Sequence, residues 1–211
     1  MVAPTRAATR DARRADILAA AIRTLAREGV AETTTRMLAA EAQVNQATLR
    51  YYFGSKDDLL LAALQEMMRR TQEVVAAATP QPAELRAPGG LRRAIAESIG
   101  AFWAHVEAEP ELQQMQQELT HYALRRPESA WLTREQYGGY TAVVEAIFRE
   151  AFAAAGQISA TPFDALARFV IAGIDGLILQ FLSDRDTARA RRDLAYLIAA
   201  VIALAEGADS R

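Results

Sequence analysis

Apolar side chains recur at the three-and-four-residue spacing of a helix along almost the whole chain, and nowhere do they alternate at the two-residue spacing of a half-buried strand. Composition agrees: of 211 residues, 46 are Ala and 23 are Arg, against a single Lys, Lys56, with aromatics at only 7%. Ala and Arg are strong helix formers, while the β-branched and aromatic residues that favour strands are sparse. With 51% hydrophobic residues the chain can bury a substantial core. The expected fold class is all-α, with about nine helices. The absence of Cys excludes disulfide frameworks, thiolate metal sites and cysteine nucleophiles, and two His argue against a zinc enzyme. No stretch reaches about 18 uninterrupted apolar residues, and the Arg-rich N-terminus lacks an apolar core, so neither a membrane span nor a signal peptide is expected. The expected location is the cytoplasm, with no cofactor and no membrane partner.

Breaker residues divide the helical pattern. Residues 1–10 carry Pro4, Arg6 and Arg10 without apolar periodicity and read as a flexible basic arm. A first helix follows from about Asp11 and stops at Gly29. A second is capped from within Thr33-Thr34-Thr35 and ends near Gln43, and a third is capped by Asn45 and ends at Gly54. Ser55-Lys56-Asp57-Asp58 then opens a long fourth helix to about Ala78. Residues 79–90, with three Pro and two Gly, read as a loop. Helices are expected at about 91–108, 110–125, 128–155, 162–182 and 187–206. The expected domains are the arm at 1–10, a helix-turn-helix head at 11–56, and a second domain at 57–211.

Charge supports that division. The net charge of −2 argues against a nucleic-acid binder. Residues 1–56, however, hold nine basic against five acidic residues, net +4, and the remainder fifteen against twenty-one, net −6. A basic head on an acidic body suggests one module for a polyanion and another for something else.

Two short helices joined by a tight turn can lay the second in a DNA major groove. Gln46, Thr48 and Arg50 can reach base edges or phosphates, and Tyr51 and Tyr52 can donate hydroxyls to phosphates. Lys56 stands beside a helix N-terminus whose free amides attract anions. The same spacing also fits an ordinary helical hairpin with a solvated polar face.

The run from Thr34 to Leu60 resembles the TetR family of transcriptional regulators. That family's pattern runs Thr, three residues, Ile-Ala, Ala-Gly-Val-Ser, Gly-Thr-Leu-Tyr, a Phe, then Ser-Lys-Glu and Leu-Leu. Leu38-Ala39, Val44, Thr48-Leu49, Phe53, Ser55-Lys56 and Leu59-Leu60 fit it in register. Gln43 replaces a turn Gly, Asn45 a Ser, Ala47 a Gly and Arg50 a Tyr. At Gln43 a side chain must accept the turn geometry at some strain, unless the backbone there is not left-handed. The resemblance implies that Thr34 caps the second helix, that Thr35 lies near a phosphate, and that Gln46, Ala47 and Thr48 face bases. It implies that Tyr51 and Tyr52 lie at the DNA backbone and that Lys56 contacts a phosphate. With Asn45 and Arg50 these residues make up the expected DNA-binding set. Arg6, Arg10, Arg13 and Arg14 could add phosphate or minor-groove contacts, or serve as a solubilising tail.

Beyond residue 60 the helix order looks like the same family's effector-binding and dimerisation domain. The helix at 162–182 is apolar on nearly every side and must be covered on most of them. With the helix at 187–206 it suits a two-fold four-helix homodimer interface, Gly173 and Gly176 allowing close approach; burial within one subunit is the other reading. Phe102, Trp103, Glu118, His121, Tyr122, Trp131, Tyr137 and Tyr140, together with Asp175 in the apolar helix, are candidate effector contacts, though such an aromatic is more often plain core than ligand wall. Glu118 and His121 stand at the i, i+3 spacing of di-metal carboxylate bundles, but the second Glu-x-x-His is missing. Neither a Gly-rich phosphate loop nor a nucleophile elbow is present, so no enzyme is expected. The expected function is a ligand-responsive DNA-binding transcriptional regulator. As a dimeric repressor it would bind a pseudo-palindromic DNA operator and be released by a small-molecule effector. The alternative is a helical ligand-binding or interaction protein without operator-specific DNA binding.

Overall fold

A computed structural model describes residues 6–77 and 82–207. Among them are ten α-helices, one short 3-10 turn at Pro127–Ser129, and no strand. They are α1 (Arg6–Glu28), α2 (Thr35–Glu41), α3 (Gln46–Phe53), α4 (Lys56–Ala77), α5 (Pro82–Arg86), α6 (Gly90–Ala108), α7 (Pro110–Leu124), α8 (Ala130–Ala155), α9 (Phe163–Asp184) and α10 (Thr187–Glu206). The helix beyond the expected nine is α5, inside the stretch read as a loop. Pro suits a first helical position, and Glu84 and Arg86 place charges of the right sign at the two ends of this single turn. Leu85 buries its side chain. Gly90 is required just beyond it, because a Cβ there would lie 2.0 Å from the Glu84 carbonyl. Helix α1 also begins earlier than its apolar pattern, so Arg6–Arg10 of the expected arm are helical and residues 1–5 lie outside the described chain.

The chain forms two compact units, both discontinuous in sequence. One comprises residues up to Met67 together with Glu111–Arg134; the other comprises Met68–Pro110 and the residues from Glu135 onward. In the first, Ile17, Ile22 and Leu25 of α1 meet Leu38 of α2, Leu49 and Phe53 of α3, and Leu59, Leu60 and Met67 of α4. Met115 and Leu119 of α7 complete that core.

In the second unit, Leu91, Ile95, Ile99 and Trp103 of α6 pack with Phe148 and Phe152 of α8, Leu166, Val170, Ile174 and Ile178 of α9, and Leu194 and Val201 of α10. Trp103 meets Phe181 edge to face and donates its indole N–H to Glu107 at 2.9 Å. Glu107 also accepts from Arg191 of α10, which holds its carboxyl below the usual range. By length and composition α9 is apolar enough to cross a membrane. Its buried residues nevertheless line this core, and it lies so close to α10 that a Cβ on Gly173 would sit 2.5 Å from Leu197 of the same chain. Gly176 has no neighbour within 4 Å of its Cβ position.

Candidate nucleic-acid interface and ligand site

Helix α2 opens on Thr34, whose hydroxyl accepts from Met37 N at 3.3 Å, and α3 opens on Asn45, whose side chain accepts from Thr48 N at 2.7 Å. Each cap satisfies one of the amides that a helix start leaves without a carbonyl partner. Between them, Val44 N donates to Ala39 O and Gln43 N to Ala40 O, the paired bonds of a Schellman motif. That motif needs a left-handed residue, and Gln43 supplies it at φ 52°. The turn geometry of the family pattern is kept without its glycine.

With Leu49 and Phe53 turned into the core, α3 leaves Gln46, Ala47, Arg50 and Tyr51 exposed and Thr48 partly so. Tyr51 is 67% exposed, meets Tyr52 edge to face at 5.2 Å, and carries the Arg10 guanidinium over its ring at 5.4 Å. Arg14 lies 4.8 Å from the Phe53 ring centre. Arg10 and Arg14 thus reach α3 from α1; their spacing in sequence showed only a basic segment. Tyr52 is half-buried against the core, Thr35 is the first residue of α2, and the Arg6 side chain lies outside the described set.

Lys56 does something the sequence did not show. Its ammonium donates to the carbonyls of Thr33 at 2.6 Å and Val30 at 3.2 Å, so two of its three protons hold the α1–α2 turn. Burial, and then the nearby Arg126, push its pKa down. On the other side of that turn, Val30 N donates to Glu118 Oε2 of α7 at 2.7 Å. Gly29, at φ 84°, lets the carboxylate in, since a Cβ there would sit 3.0 Å from the same oxygen. Tyr122 donates to Asp57 at 3.2 Å and carries Arg126 over its ring. Glu118 and Tyr122, candidates for effector contact, are therefore committed to the helix-turn-helix unit. His121 of α7 is exposed, with Nδ1 2.8 Å from Gln117 O, and Trp131 is 43% exposed. No group of three His, Asp or Glu among the described residues converges to hold a metal ion.

The remaining effector candidates lie in the second unit. Trp103 is core, with Phe102 packed against it. Tyr137 Oη donates to Asp175 Oδ2 at 2.8 Å, and the Tyr137 and Tyr140 rings stand edge to face at 6.4 Å. Burial raises the pKa of both phenols, with Asp175 adding to the effect on Tyr137. Burial also raises that of the Asp175 carboxyl, which the Tyr137 hydrogen bond partly offsets.

Residues 17–63 match the model of the bacterial regulatory proteins of the tetR family, and residues 90–204, over half of the chain, match the tetracyclin repressor-like C-terminal domain. The chain belongs to the TetR family. It is thus a DNA-binding transcriptional regulator, and its α2–turn–α3 segment is the family's helix-turn-helix. Among its relatives are the transcriptional regulator BetI of Paraburkholderia phymatum, 26% identical over 194 residues (81% of this chain, 95% of the relative). The nicotine-responsive transcriptional repressor HdnoR of Paenarthrobacter nicotinovorans is 28% identical over 173 residues (82% and 84%). The multidrug binding protein EbrR, solved with imidazole, superposes with a TM-score of 0.60 at 28% identity, covering 88% of this chain and 89% of that one.

Proposed function

We propose that this TetR-family regulator is a cytoplasmic homodimer that represses by binding a pseudo-palindromic operator and leaves it when a small-molecule effector binds the unit of residues 68–110 and 135–207. The observation that carries the DNA half of the reading is the outer face of α3. Gln46, Ala47, Arg50 and Tyr51 are exposed on a helix whose other face is fixed in the core, with Arg10 laid beside them. Gln46 and Thr48 take base edges there, Arg50 a base edge or phosphate, and Tyr51, Tyr52 and Thr35 the DNA backbone. Lys56 keeps one proton for a phosphate while it holds the turn.

The dimer half rests on α9 and α10, which leave Phe169, Leu179, Tyr196 and Leu204 each at least 40% exposed. A two-fold four-helix contact would cover them. Repression and release draw on the nicotine-responsive repressor among the relatives. An effector acts by binding more tightly to a conformer whose two heads no longer match successive major grooves.

A gel-shift titration with the DNA upstream of the chain's own gene tests the reading. Two protomers should bind per operator, and affinity should fall steeply between about 50 and 200 mM salt as phosphate contacts release counterions. A salt-insensitive interaction, or none, would refute it and favour a binding protein without operator recognition.

A further inference from the structure

From Phe169 to Ser183, α9 contains one ionisable residue, Asp175. Its carboxylate can accept about four hydrogen bonds. One donor meets it, Tyr137 Oη at 2.8 Å, and no cationic side chain among the described residues acts on it. A part-buried carboxylate with a single phenol as its partner in the chain leaves most of its acceptor capacity to solvent or a ligand. Tyr140, one helical turn along α8 from Tyr137, has its hydroxyl buried; it faces Gln136 but completes no hydrogen bond of good geometry. The two rings stand at 86° to each other, the edge of one toward the face of the other. Gly138 is exposed to solvent and Gly176 is partly so. A Cβ on Gly138, next to Tyr137, or on Gly176, next to Asp175, would meet nothing within 4 Å, so neither glycine is explained by close packing within the chain. Gly139 is different, since a Cβ there would collide with Met68.

We infer that Asp175, Tyr137 and Tyr140 form the recognition site for an organic cation, a protonated amine or quaternary ammonium group, with the Asp175 carboxylate as counter-ion and the tyrosine rings as π-faces. The inference rests on the reading that this unit holds the effector, and it names the effector's charge. An anion would meet the carboxylate head on. A neutral ligand could satisfy the Tyr140 hydroxyl but would leave the charge of Asp175 unpaired. A cation answers the charge: the carboxylate gains the cationic partner the chain does not supply, and a tyrosine ring face adds attraction through its quadrupole.

Isothermal titration of the full chain with tetramethylammonium, benzyltrimethylammonium and tetrabutylammonium tests this. The uncharged near-isostere 2-methyl-1-phenyl-2-propanol and the anion phenylacetate serve as controls. At least one cation is expected to bind, benzyltrimethylammonium at least ten-fold more tightly than the alcohol, and phenylacetate not at all. Asp175→Asn, nearly isosteric, is expected to erase the preference for charge while keeping the thermal midpoint at or above that of the wild type. The assignment is overturned if none of the three cations binds, if the alcohol matches benzyltrimethylammonium, or if Asp175→Asn binds cations undiminished. Should the variant not fold, the wild-type preference of cation over alcohol decides alone. Gel shift on the same preparation separates the two readings. Operator binding without cation binding sinks the cation site and leaves the regulator standing, whereas absent operator binding sinks the regulator whatever the cations do.

Discussion

Gln43 offers a direct test of the turn between α2 and α3. At φ 52° it occupies the left-handed position of a Schellman motif, where a side chain costs about 1–2 kcal/mol relative to glycine. Replacing it by glycine relieves that cost but gives the unfolded chain more freedom, which takes back about 0.4–1 kcal/mol. The exposed Gln43 side chain makes no hydrogen bond that the change would remove. Gln43→Gly should therefore stabilise the folded protein by about 0.5–1 kcal/mol. For a chain of this size that is a rise of roughly 1–4 °C in Tm. Differential scanning calorimetry at one fixed protomer concentration measures it, since dimerisation would otherwise move the midpoint. Gln43→Ala is the control: it leaves the φ penalty in place and should not raise Tm. Equal gains from Ala and Gly, or a loss with Gly, would refute the account, because the effect would then lie in the side chain and not in the backbone.

Lys56→Ala removes a charged donor from two carbonyls and should destabilise by about 2 kcal/mol, visible as a lowered Tm, while weakening binding to all DNA sequences alike; a change in base preference would contradict its placement in the turn. Gln46→Ala should alter which bases are preferred at one operator position, by about 1–3 kcal/mol of discrimination in a binding-site selection, with little effect on the salt slope. Asp175 has its carboxyl pKa raised by burial, so its ionised form weakens the fold. The wild type is therefore spared that cost below the unfolded carboxyl range near pH 4 and bears it as pH rises through the folded value. Without ligand, Asp175→Asn should be more stable than the wild type at pH 7, with the difference shrinking toward pH 4 in chemical denaturation.

What could be read from the sequence was what local chemistry fixes. The cap within Thr33-Thr34-Thr35, the cap at Asn45 and the turn at Gln43 all depend on neighbours within a few residues, and the structure has each of them. Helix α5 escaped because its five residues are too few to show a period, and the breakers around it dominate the pattern. Lys56 and Glu118 escaped for a different reason. A single Lys among so many Arg suggested a phosphate contact, and Glu118 with His121 suggested ligand chemistry, but their partners lie 23 to 88 residues away. Spacing carries no information about such contacts. Asp175 stood out correctly as a polar residue in an apolar helix, yet its pairing with Tyr137 needed the fold.

The DNA-reading head is not a contiguous piece of chain. Met115 and Leu119 finish its core and Glu118 satisfies the amide of Val30, yet these residues are synthesised some sixty residues after α4 begins. During translation the first three helices must therefore wait, with part of their apolar surface uncovered, until α7 leaves the ribosome. For the same reason a fragment ending after α4 would lack Met115 and Leu119 from its core and the carboxylate that accepts from Val30 N, so a hybrid regulator made by grafting this head onto another sensor would have to carry α7 with it.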